Sequence, residues 1–174
     1  ATKDTESIGK VRIHPFPLYP VRCLDTPEPA KKEFSVRKYL YSFIGAYDPI
    51  HYLTKARLWI SELPPDKDAL IIRNTEWHYQ SDVYDSQILD KEVSPEKKMK
   101  ISSKAEAYRH ALEDSVFSLC PSGSGPNSIR LWESLGFGCI PVIMADTLKL
   151  PGREEEWKKA AIIVPEDKKA VSEL

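Results

Sequence analysis

The sequence predicts one doubly wound α/β domain, a parallel sheet with helices on its faces, preceded by a proline-rich N-terminal arm. Three observations predict it. Short apolar runs alternate with stretches whose apolar residues fall at helical spacing. No tight hairpin signal joins one run to the next, which argues for crossover connections and parallel strands. The chain has 174 residues, enough for one ordinary domain with its own core.

Residues 1 to about 34 contain Pro15, Pro17, Pro20, Pro27 and Pro29 and show no sustained period. They read as an extended arm or linker, 1–35, ahead of a domain over 36–174. VRKYLYSFIGAY (36–47) reads as a buried strand ending at Gly45. YLTKARLWISEL (52–63) has helical spacing, and ELPPDKD ends it. ALIIR (69–73) is a short strand. The polar stretch from Asn74 to Ser94 holds aromatics without a period and reads as an irregular loop. SSKAEAYRHALEDS (102–115) is a helix with Ser102 or Ser103 as its cap. VFSLC (116–120) is a strand, a helix follows over about 127–135, and CIPVIM (139–144) is the next strand. PGREEEWKKA (151–160) opens as a helix, AIIVP (161–165) is a last strand, and EDKKAVSEL begins another helix. There is no internal repeat, and strand order is not readable.

A net charge of -1 gives no general pull toward nucleic acid or anionic membranes, so any anion site must be local. No apolar run approaches eighteen residues, and the N-terminus lacks the basic-then-apolar layout of a signal peptide. The expectation is a cytoplasmic protein with membrane association left open, or a Golgi-lumenal one if the chain is part of a longer eukaryotic protein. It begins with Ala1, which leaves room for an upstream segment. Cys23, Cys120 and Cys139 form an odd set without CxxC spacing. They read as buried reduced thiols, or Cys120 and Cys139 pair across neighbouring strand ends in an oxidising compartment.

Chemistry concentrates in CPSGSGPNSIRLWESLGFGCIPVI (120–143). In a parallel sheet, ligands bind where strands lead into helix N-termini, and residues 121–128 occupy such a place. Gly123 and Gly125 lack Cβ atoms, so the backbone can approach a ligand or adopt positive φ. Pro126 pre-sets helical φ, and Asn127 or Ser128 can cap the helix. A helix N-terminus favours phosphate, and Arg130 in its first turn can reach an anion held there. Glu133 lies three residues on, nearly on the same face. A carboxylate beside an anion site is useful if it accepts from hydroxyls, as ribose provides next to a diphosphate. The alternative is a surface Arg130–Glu133 ion pair worth a few tenths of a kcal/mol. The stretch is neither a GxGxxG fingerprint nor a Walker loop.

Together with LP at 150–151, Trp157 and IIVPED at 162–167, this stretch resembles the C-terminal half of the exostosin-like glycosyltransferases. Those proteins carry Cys-Pro-x-Gly-x-Gly, then Ser-x-Arg-x-x-Glu, then Gly-Cys-Ile-Pro-Val, all present here in order. The resemblance covers roughly 36–167 and is strongest over 117–143. It implies a Rossmann-like domain of the GT-B C-terminal-half type that holds the nucleotide of a sugar donor, with UDP the nucleotide. It further implies inversion without a bound metal or other cofactor, and a glycan or glycolipid acceptor in polysaccharide or glycoconjugate assembly. Ser122, Gly123, Gly125, Asn127, Ser128, Arg130 and Glu133 are the candidate nucleotide-sugar-binding residues, with Arg130 and the 123–128 backbone on diphosphate and Glu133 on ribose. No catalytic residue is assigned, because the acceptor half that usually supplies the base has no counterpart in this chain. A non-catalytic binding module or scaffold that needs a partner chain is the alternative. One family contact is absent: a basic residue after the opening strand's glycine is replaced by Ala46, Tyr47 and Asp48, and Arg57 stands too far along the next helix to be assigned that contact.

Other groupings read as ordinary structure. Asp66 and Asp68 have metal-motif spacing but precede a strand, and suit a solvated turn. Glu76, His78, Asp82 and Asp85 lie among aromatics and read as ordinary packing, with a sugar-facing loop or metal ligation as alternatives. His14, His51 and His110 are isolated, and the lysines of 96–104 form a solvated helix entry.

Overall fold

The structure is a computed structural model that describes residues 6–24, 32–75 and 94–174. A two-residue hairpin, β1 (Ser7–Ile8) and β2 (Val11–Arg12), and one helical turn, α1 (Val21–Leu24), lead into the domain. Then follow β3 (Tyr39–Ala46), α2 (Ala56–Ser61), β4 (Ala69–Asn74), α3 (Pro95–Glu113), β5 (Ser115–Pro121) and α4 (Ile129–Gly136). β6 (Ile140–Met144), α5 (Glu154–Ala160), β7 (Ile162–Ile163) and α6 (Lys168–Ser172) complete it. The five strands β3 to β7 form one all-parallel sheet in the order β4-β3-β5-β6-β7.

Strand alternation divides the core into two layers. Phe43, Leu119, Val142 and Met144 point to one face, where they pack with Ile60 of α2 and Val171 of α6. Their neighbours Cys120 and Ile143 point to the other face, against Leu131 of α4, with Trp157 of α5 at the border. On that second face Ser42 Oγ reaches the Ala111 carbonyl of α3. Helices therefore cover both faces, as the alternating sequence pattern predicts.

Several boundaries differ from the sequence reading. The first helical reading, 52–63, shrinks to Ala56–Ser61, because the Leu53 N–H is used on the Gly123 carbonyl at 3.0 Å. α3 begins at Pro95, seven residues before Ser102: Ser94 is its cap and accepts the Lys97 N–H at 3.3 Å, while Pro95 supplies a preset φ at the first position. The lysine-rich stretch is thus the first half of the helix itself. The loop grouping of Glu76, His78, Asp82 and Asp85 lies outside the described residues, as do Pro27 and Pro29. Asp66 and Asp68 sit in an exposed turn, where Asp66 accepts the Asp68 N–H at 2.7 Å.

The thiols are free. Cys120 lies at the carboxyl end of β5, whereas Cys139 precedes β6 and donates to the Val116 carbonyl at the opposite end. Four residues of strand, roughly 13 Å, separate the two levels, so no bridge spans them. Among the described residues no helix is long and apolar enough to cross a membrane.

Candidate functional site

The winding direction reverses between β3 and β5, so a crevice opens outside their carboxyl ends. At its floor is Gly45. A Cβ built there would stand 2.8 Å from the Phe43 ring, 3.2 Å from Arg130 Nη2 and 3.3 Å from Arg57 Nη1. Two guanidiniums converge on one patch of backbone that only glycine leaves open.

Arg130 projects from the first turn of α4 and is 6% exposed. Its Nη1 donates to the Leu119 carbonyl at 3.2 Å and its Nη2 to the Ile44 carbonyl, while Nε is buried without a partner. Arg57 comes from the first turn of α2, and its Nε–H donates to the Ser122 carbonyl at 2.7 Å. Aromatic faces enclose the pair: Phe43 lies 4.4 Å from the Arg130 guanidinium and Tyr52 lies 4.7 Å from that of Arg57. Burial, with the neighbouring Arg130 charge second, pulls Arg57 down from 12.5 to about 10. Among the described residues no carboxylate pairs with either guanidinium. Like charges held together out of water are costly, and an anion that both can reach relieves that cost.

The other sequence-predicted residues fall around this pair. Gly123 faces Arg57, whose Nη2 would stand 3.4 Å from an added Cβ, and Gly125 borders open space. Neither adopts positive φ, and the Gly123 N–H closes the loop by donating to the Gly125 carbonyl at 2.9 Å. Ser122 is buried; its hydroxyl donates to Glu166, and its N–H is shared between Glu166 at 2.8 Å and the Met144 carbonyl at 3.0 Å. Ser128 occupies the cap position of α4, though its hydroxyl makes no capping bond. The Asn127 amide is engaged, donating to the Phe16 carbonyl at 3.2 Å and accepting the Trp132 indole N–H at 2.8 Å.

Glu133 is 3% exposed, so the alternative of a surface ion pair with Arg130 does not hold. Its Oε1 accepts the Arg22 N–H at 3.2 Å and its Oε2 accepts the Tyr108 hydroxyl at 2.9 Å. The N-terminal arm therefore lies on α4. Cys23 sits where a Cβ on Gly136 would go, and burial together with the Glu133 charge raises its thiol to about 11.

Burial pushes the Glu133 carboxyl above its ordinary 4.5, against the pull of Tyr108, Arg22 and Arg130. A carboxyl with a raised folded pKa binds more protons folded than unfolded. Its contribution to stability is present at low pH and is lost as pH rises from about 4.5 through the folded value. Glu133→Gln removes that dependence. The melting temperature of the variant, relative to the parent, climbs as pH is raised from ~4.5 toward neutrality; a difference that is flat or falls with pH contradicts the assignment.

Arg57, Phe43, Tyr108 and Glu166 belong to the site and were not among the residues picked from sequence. For Arg57 the signal was present: it adjoins buried Ala56 and precedes buried Ile60 by three residues, which puts it beside the inward face of α2. Tyr108 and Glu166 carry no such signal, because their partners are distant in the chain. Among the described residues no group of three or more His, Cys, Asp or Glu is placed to hold a metal ion.

Comparison with known proteins places this sequence in a family. The model of the exostosin GT47 domain matches residues 8–172, nearly the whole chain and including most of the arm. Curated relatives match over shorter stretches. A probable glucuronosyltransferase of Oryza sativa subsp. japonica is 44% identical over 63 residues, 36% of this chain and 15% of that protein. A probable glucuronoxylan glucuronosyltransferase of Arabidopsis thaliana is 45% identical over 60 residues, 34% of this chain and 13% of that protein. A probable beta-1,4-xylosyltransferase of Arabidopsis thaliana is 43% identical over 68 residues, 38% of this chain and 16% of that protein. The match thus spans well under a fifth of the length of each of these relatives. With the family model aligned over almost every residue of a parallel-sheet domain that carries the Ser-x-Arg-x-x-Glu helix at its switch point, the chain belongs to the exostosin GT47 family.

Proposed function

We propose that this chain is the donor-binding half of a glycosyltransferase that moves a sugar from a uridine diphosphate sugar to a glycan or glycolipid acceptor. One observation carries the reading: Arg57 and Arg130 converge above Gly45 at the switch point, and among the described residues no carboxylate is paired to either. A diphosphate supplies the missing charge and enough oxygens for two planar donors. Arg57 takes the place of the basic residue that many family members carry directly after the opening strand's glycine.

When the glycosidic bond breaks, negative charge builds on the leaving diphosphate. Two guanidiniums already fixed at that spot, with the N-terminus of α4 beside them, stabilise that charge without reorganising. No metal is required for that role in this reading. Glu133 is assigned to the ribose hydroxyls. As a carboxylate it only accepts, and each oxygen now holds one donor and keeps a second lone pair. Relatives named as glucuronosyltransferases and a xylosyltransferase make a uronic acid or a pentose the sugar class to try first. The acceptor site and the base that deprotonates the acceptor hydroxyl are assigned to protein outside these residues, either the rest of a longer chain or a partner.

Calorimetric titration with UDP, GDP and CMP tests the reading. UDP binds, and Glu133→Ala weakens it tenfold or more, roughly 1.4 kcal/mol. Failure of all three nucleotides to bind sinks the proposal.

A further inference from the structure

We infer that Glu166 is a positioning residue for the diphosphate site, holding Arg57 on target from the far edge of the sheet. The inference rests on the reading of Arg57 and Arg130 as diphosphate ligands. Glu166 follows the short edge strand β7, yet its carboxylate reaches back across the strand exits. Oε1 accepts the Ser122 N–H at 2.8 Å and the Thr54 hydroxyl at 2.9 Å, and Oε2 accepts the Ser122 hydroxyl at 2.6 Å. Its own N–H donates to Asp146 at 3.1 Å. The segments leaving β3, β5, β6 and β7 are thereby joined at one residue.

Both partners of this carboxylate control Arg57. Ser122 presents the carbonyl that accepts the Arg57 Nε–H. Thr54 sits at the entry to α2, where its Oγ1 also accepts the Ala56 N–H at 3.3 Å, one residue before Arg57. The guanidinium is therefore set from its helix root and from its Nε at once. Glu166 does this without neutralising the site, since it forms no ion pair with either arginine and both of its oxygens are taken by N–H and O–H donors. A carboxylate free to swing onto the guanidiniums would compete with phosphate, and its three donors prevent that. Fixing donors before the ligand arrives lowers the ordering cost of binding.

The test follows the Arg57 Nε–H by NMR in the ligand-free chain and measures affinity for UDP, inorganic pyrophosphate and uridine. In Glu166→Ala the Arg57 Nε–H exchanges with solvent at least tenfold faster. UDP and pyrophosphate bind about tenfold more weakly while uridine is unchanged. In an Arg57→Ala background, Glu166→Ala brings no further loss, because the two act through one guanidinium. Unchanged exchange, or a full additional loss in the Arg57→Ala background, overturns the inference. If the parent binds neither UDP nor pyrophosphate, the donor-site reading fails, and the exchange rate still decides whether Glu166 positions Arg57. Should Glu166→Ala fail to fold, Thr54→Ala and Ser122→Ala each remove part of the same network and are read the same way.

Discussion

Arg130→Met leaves the ligand-free protein within about 1 kcal/mol of the parent and lowers UDP affinity at least a hundredfold, about 2.7 kcal/mol. The two effects separate because the arginine is expensive where it stands. It is buried, its Nε has no partner, and a second guanidinium meets it at Gly45. Its two bonds to the Leu119 and Ile44 carbonyls stabilise the fold, each by about 1.5–3 kcal/mol. The cost of keeping a charge with no ion-pair partner among the described residues out of water, several kcal/mol, offsets them. Methionine fills a similar volume with no charge to desolvate. Thermal melts with and without pyrophosphate check the result: the parent gains stability with ligand and the variant does not. A variant that loses 3–5 kcal/mol on its own would show Arg130 to be a structural tie.

Phe43→Ala costs about 3–5 kcal/mol, which lowers the melting temperature by roughly 6–20 °C in a chain of this size. Phe43 is 1% exposed and belongs to the larger core cluster with Leu119, Val142 and Met144. The same ring lies under Arg130 and within 5.9 Å of the Arg57 guanidinium, so the cavity undermines the site as well as the core. UDP affinity falls at a temperature where the variant is still folded. Val142→Ala, in the same cluster but on β6, two strands away from β3, is destabilised and keeps its affinity. Equal losses of affinity in both would show that the site responds to core damage in general and not to this ring.

The fold class was legible because burial on both faces writes itself as short apolar runs. FSLC and IPVIM alternate their contacts between layers and are apolar at every position but Ser118, close to the continuous run that a central parallel strand requires. The start of α3 was less legible. Its serine and proline signal at 94–95 competes with two later serines, and its exposed lysine face gives a weak period. Strand order is a property of the assembled sheet and leaves no local trace. Within the site, Arg130 and Glu133 stood out through spacing on one helix, whereas their surroundings did not. Glu133 proves to be enclosed by the arm and Tyr108, and Arg130 is joined by a residue from another helix. Arg57 and Arg130 in particular meet through the β3–β5 seam.

That seam has a kinetic meaning. Arg57 follows β3 and Arg130 follows β5, and these strands pair at Tyr39 with Ser115 and Tyr41 with Phe117, across an intervening strand and a long helix. β5 and β6, by contrast, are separated only by α4. Closing the longer loop costs more chain entropy and comes later on the folding path. The expectation is that the pair of guanidiniums is assembled late in folding and taken apart early in unfolding. On the proposed diphosphate reading, an anion clasped by both is expected to act as a staple across that seam, slowing unfolding while leaving the early steps of folding untouched.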